Sequence, residues 1–80
     1  MREFIISIND FSKASKFCEL SAISKCINVE LKSERYIINA KSLLGIFSLD
    51  LSKNVTCMVE GTDKNIKKFE NELKKLNILV

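Results

Sequence analysis

The stretch NAKSLLGIFSLDLSKNVTCMVEG, residues 39–61, carries two different hydrophobic spacings one after the other. Val55, Cys57 and Val59 recur at every second position, so the spacing predicts a strand with one face on a core, bounded by Lys53 and Asn54 before it and Gly61 after it. Residues 41–49 are too rich in large apolar side chains for a loop and open with Ser42, a residue suited to cap a helix. They are read as a short helix, with Gly45 tolerated inside it at some cost in propensity. Leu43, Leu44 and Phe47 can share one side of that helix, and a stripe of this kind is ordinarily core. Two turns cannot bury all of Leu43, Leu44, Ile46, Phe47 and Leu49, so part of the stripe is expected to form an exposed apolar patch suited to a partner.

Working outward, Phe4, Ile6 and Ile8 predict a first strand over residues 3–8, followed by a loop at Asn9 and Asp10. From Ser12 the spacing becomes helical: Phe17, Leu20 and Ile23 share a face, Lys16, Glu19 and Lys25 point away, and Ser12 or Ser15 is the expected cap. Ile27, Val29 and Leu31 give a second strand, Ser33 and Glu34 a turn, and residues 35–40 the returning strand of a hairpin. After Gly61, with Thr62 or Asp63 as cap, Ile66, Phe69, Leu73 and Leu76 define a strongly amphipathic helix. The order β-α-β-β-α-β-α predicts an α+β fold, an open-faced sandwich in which a four-stranded antiparallel sheet is covered on one face by three helices.

Eighty residues, 46% of them hydrophobic, suffice for a single domain over residues 1–80 that folds alone. The net charge of +3 comes from interspersed acids and bases, which gives no nucleic-acid tail, and no run is long enough to span a bilayer. The start of the chain lacks the long apolar stretch of a signal peptide, so a cytoplasmic protein is expected. Cys18, Cys26 and Cys57 are odd in number and form no C-x-x-C pair, which argues against disulfides and metal sites and for buried, reduced thiols.

Residues 39–61 resemble the HPr family of the bacterial sugar phosphotransferase system: a strand ends in a lysine-serine pair, a short apolar helix follows, and a strand closes on glycine. The element order matches over nearly the whole chain with one deletion near Lys25 or Cys26, and residues 40–49 look especially like the Gram-positive branch. The resemblance implies that Ser42 is phosphorylated by a dedicated HPr kinase/phosphorylase, and that Leu43, Leu44 and Phe47 dock partner proteins. Phosphate there would add about two negative charges at the positive end of a helix, which the fold should tolerate.

At the first helix the sequence departs from the family. Where HPr proteins carry a glycine, an apolar residue, the phosphorylated histidine, an arginine and a proline, this chain reads Asp10-Phe11-Ser12-Lys13-Ala14-Ser15, with Ser12 at the histidine position and Ala14 at the arginine position. The sequence contains no histidine. A phosphoserine ester is too stable to be a good phosphoryl donor, and alanine cannot grip a phosphoryl group as a guanidinium does. Phosphoryl relay, and with it an enzymatic role or a cofactor, is therefore not expected, although Lys13 and Lys16 could draw an anion to the helix start.

Loss of the histidine with retention of the serine is the pattern of the branch called catabolite repression HPr. It implies a regulatory protein, monomer or weak dimer, whose partners are the kinase and a catabolite-control transcriptional repressor, without direct nucleic-acid or membrane contact. Asp50, where the family commonly has a small residue, adds a carboxylate that could weaken docking to an acidic partner or to the kinase. The alternative is an interaction module with no phosphorylation, using residues 43–49 to bind a fixed protein partner.

Overall fold

In the computed structural model, residues 1–24, 26–33, 36–50 and 52–80 are described. Lys25, Glu34 and Arg35, assigned above to a helix flank, a turn and a strand start, lie outside them, as does Leu51. The elements follow the expected order: β1 (Arg2–Ile6), α1 (Phe11–Ile23), β2 (Asn28–Lys32), β3 (Ile37–Asn39), α2 (Leu43–Phe47), β4 (Val55–Glu60) and α3 (Asp63–Lys75). The sheet is antiparallel with strand order β1-β4-β2-β3, so β4 lies inside, pairing Val59 with Arg2 on one side and with Val29 on the other.

Alternation decides which face is covered. Phe4, Ile6, Val29, Leu31, Val55, Cys57 and Val59 are buried on the helix side of the sheet, while Glu3, Ile5, Asn28, Lys32 and Glu60 stay exposed on the other. The helices contribute Ala14, Phe17, Ile46, Ile66, Phe69 and Leu73 to the same core. Arg2 leans across the covered side to pair with Glu70 of α3 at 3.3 Å.

The first helix begins earlier than expected. Its cap is Asp10, with extended φ −138° and ψ 163°, whose carboxylate accepts the Lys13 N–H at 2.8 Å; neither Ser12 nor Ser15 has this role. The early start also corrects its buried face, which is Ala14, Phe17 and Ser21 in place of Phe17, Leu20 and Ile23. Leu20 is half-buried and Ile23 is 69% exposed. Ser21 tolerates burial because its hydroxyl donates to the Phe17 carbonyl at 2.9 Å. Replacing Asp10 by alanine should cost about 1 kcal/mol of unfolding free energy, and Ser15→Ala should be near neutral; urea melts of both variants check the assignment.

The chain also adds an element that its periodicity did not announce. After α3, Asn77 takes the left-handed conformation (φ 58°), its N–H donates to the Lys74 carbonyl, and the Ile78 N–H donates to that of Leu73. This pair of bonds is a Schellman closure, and its apolar contact is Ile78 against Leu73, both fully buried. The tail then runs antiparallel to β1, with Ser7 N–H to Ile78 O at 2.9 Å and Val80 N–H to Ile5 O at 3.0 Å. The outer edge of β1 is therefore covered by backbone pairing at its C-terminal end, Ile5 and Ile6.

Candidate functional site

The site is assembled where β3 hands over to α2. Asn39 turns the chain: its side-chain oxygen accepts the Lys41 N–H at 2.9 Å and its carbonyl accepts that of Ser42 at 3.0 Å. The Cys18 thiol donates to the Lys41 carbonyl at 3.4 Å, tying this turn to the middle of α1. Ser42 then caps α2 with its Oγ accepting the Gly45 N–H at 3.1 Å. The residue is exposed, and its hydroxyl still has a proton to give to solvent or to a reacting group.

Helix α2 is shorter than the expected span of 41–49, covering Leu43–Phe47 and ending at Ser48, whose hydroxyl donates to the Gly45 carbonyl at 2.6 Å. Gly45 has a packing reason as well as a propensity cost: a Cβ there would stand 2.7 Å from Ile38 Cγ2, so its absence lets α2 lie close on β3. Of the five crowded apolar residues, Ile46 and Leu49 enter the core, Leu43 and Phe47 are half-buried, and Leu44 is 86% exposed.

Phe47 also stacks on a residue that sequence reasoning left out. The Phe11 ring lies 5.2 Å from it, centroid to centroid, at an interplanar angle of 11°, and Phe11 is itself 69% exposed. Leu43, Leu44, Phe47 and Phe11 thus form an apolar surface built from α2 and the start of α1, with Ser42 on the capping residue of α2. The available signal for Phe11 was a large apolar residue directly after a capping aspartate and outside the buried stripe of its helix.

Ser12 is exposed on the first turn of α1, Lys13 is half-buried and Lys16 exposed. The Asp10 carboxylate already accepts the Lys13 N–H, so this helix start carries an anion of its own. Ala14 is fully buried and belongs to the core. Asp50 is engaged locally: the Ser52 hydroxyl, then the Ser52 N–H, and also the nearby Lys53 charge hold its carboxyl below the usual range, outweighing slight desolvation.

The cysteines divide by environment. Cys57 is buried and burial pushes its thiol up to about 12, while burial also raises Cys18. Cys26 is exposed, which corrects the expectation that all three are buried; it stands in the turn after α1, where the chain leaves the core.

A four-stranded antiparallel sheet of order β1-β4-β2-β3 with helices on one face, and an exposed serine capping the short middle helix, define an HPr-like open-faced α+β fold. Among solved structures, the crystal structure of HPr-C-His from Thermoanaerobacter tengcongensis is similar over 95% of this chain and 94% of that one, with a TM-score of 0.71 and 25% sequence identity. No protein-family profile and no curated protein matches the chain. Among the described residues, no helix is long and apolar enough to cross a membrane.

Proposed function

We propose that this chain is a phosphocarrier-related regulatory protein of the cytoplasm, marked by phosphorylation on Ser42 and read by a protein partner at the surface of Leu43, Leu44, Phe47 and Phe11. The observation that carries the reading is the exposed Ser42 hydroxyl at the cap of α2, one helix turn or less from an 86% exposed leucine. Transfer of the terminal phosphoryl group of ATP to Ser42 Oγ would release ADP and a proton. The new phosphate would sit at the positive end of α2, where it changes the surface without disrupting the fold. The sequence offers no imidazole to form a transferable phosphoryl linkage, which supports a recognition mark over a relay. By resemblance the enzyme is an HPr kinase/phosphorylase, and the reader is a repressor of carbon-catabolite genes.

The test is intact-mass spectrometry after incubation with ATP and an HPr kinase. One added phosphate is expected, mapped to Ser42 and absent in Ser42→Ala, a variant that should lose about 1 kcal/mol of stability with its cap and stay folded by circular dichroism. An unchanged wild-type mass would sink the proposal. A second reading, constitutive docking without phosphate, draws on the exposed Phe11–Phe47 stack. Under it, partner capture survives Ser42→Ala and is lost in Leu44→Glu, which alters a side chain outside the core.

A further inference from the structure

The open face of the sheet, on the opposite side from the helices, takes no part in the reading above. The register sets Met58 of β4 directly between Glu3 of β1 and Glu30 of β2. Glu60, two residues further along β4, is the diagonal neighbour of both, so three carboxylates surround one methionine on this face. Ile5, diagonal to Met58 on the other side, is 47% exposed, and Ile37 on β3 is 61% exposed. The face therefore has an apolar centre with an acidic border, the anatomy of an interface.

The charge of this face runs against that of the chain. The protein as a whole carries +3, yet among the described strand residues the face holds three glutamates and one base, Lys32, with no ion pair between them. Unengaged acids are not spread over the molecule. Elsewhere among the described residues Asp10 caps α1, Asp50 accepts from Ser52, Asp63 stands in the first turn of α3 where the helix dipole favours it, and Glu70 and Glu72 have basic partners. Glu19 on α1 is the one further acid without such a role. Three of the four unengaged acids thus stand together, where their mutual repulsion is unfavourable until a cation comes among them.

We infer that the open sheet face is a docking site for a basic amphipathic helix of another protein, which lays its apolar stripe along Ile5 and Met58 and sets lysine or arginine side chains over Glu3, Glu30 and Glu60. A helix is the usual cover for a sheet face. A second copy stacked sheet to sheet would bring the same acidic border against this one, and a nucleic acid or an anionic membrane would be repelled by it. Among the described residues no group of acids is close enough together to hold a metal ion, which leaves cationic side chains spaced along a partner to answer the carboxylates.

The whole nitrogen-labelled chain is titrated, following its amide resonances, with an acetylated helical peptide of alanine and lysine carrying leucines at one-turn spacing, and with a control whose lysines are glutamates. Saturable shifts at Ile5, Glu30 and Met58 are expected with the lysine peptide alone, weakening as salt is raised. Glu3→Lys and Glu60→Lys, both at exposed positions, should each weaken binding about tenfold, and Ile5→Thr, which keeps a β-branched side chain on the strand, about fivefold. Glu19→Lys changes the net charge equally but away from the sheet, and should leave binding unchanged. An equal loss in Glu19→Lys, equal response to both peptides, shifts confined to Leu44 and Phe47, or no shift at millimolar peptide would overturn the assignment. Shifts on the sheet that depend on protein concentration without peptide would assign the face to a second copy and also overturn it.

Discussion

Phe17→Ala should lower the unfolding free energy by about 3–5 kcal/mol. Phe17 is fully buried at the centre of α1 and meets the edge of Phe69 from α3, with centroids 6.3 Å apart and planes at 69°. Truncation would remove the aromatic contact and leave a cavity that two helices, each fixed on the sheet by other side chains, cannot fully close. A domain of this size has about 5–15 kcal/mol of stability in all, so a large share would be gone. The effect reaches the α2 surface, because the same helix carries Phe11 onto Phe47 and Cys18 onto the Lys41 carbonyl. Urea denaturation followed by circular dichroism measures the loss. Ile23→Ala, on the same helix but exposed, should change stability by no more than about 0.5 kcal/mol. Equal losses for the two variants would mean that α1 presents a different face to the sheet.

The contrast between these two residues shows what the sequence could and could not convey. A strand with one buried face writes its environment into every second residue, so Val29 with Leu31 and Val55 with Val59 were readable, and the antiparallel sheet followed from them. The face of α1 was harder, because its core contacts include Ala14 and Ser21, which are small and carry little hydrophobic signal beside Leu20 and Ile23. Ser21 joins the core only because its hydroxyl finds the backbone one turn back. The choice of cap was similarly hidden. Asp10, Ser12 and Ser15 are all competent acceptors, and the loop after β1 decides which one meets the first turn.

The tail shows the same limit from another side. Asn77 has the side chain that tolerates a left-handed turn, yet only the finished sheet provides the edge along which Ile78, Leu79 and Val80 can lie. At the candidate site, Ser42 and Leu44 were legible because a capping residue and an overfilled short helix are both local features. Phe11 was not, since its meaning comes from Phe47, far along the chain. The reason for Gly45 likewise lies in Ile38 on β3, a neighbour that no helical propensity reveals.

Burial of Cys57 should make the fold sensitive to alkali. Its thiol is pushed from an ordinary value of about 9 up to about 12 by desolvation in the core. The folded chain therefore holds this proton to higher pH than the unfolded chain. Stability from this source is intact below pH 9 and falls as pH rises toward 12, where the unfolded state alone can release the proton. A displacement of this size corresponds to a loss of about 4 kcal/mol once both states would be ionised. Every other ionisable group is shared by a variant that lacks only the thiol, so the difference between the two proteins isolates Cys57. Cys57→Val, which keeps an apolar side chain on the buried face of β4, should remove the Cys57 share of the fall. Urea midpoints at neutral and alkaline pH for both proteins provide the measurement. The wild type should lose more stability than the variant, and parallel losses would show that Cys57 exchanges its proton with solvent in the folded chain.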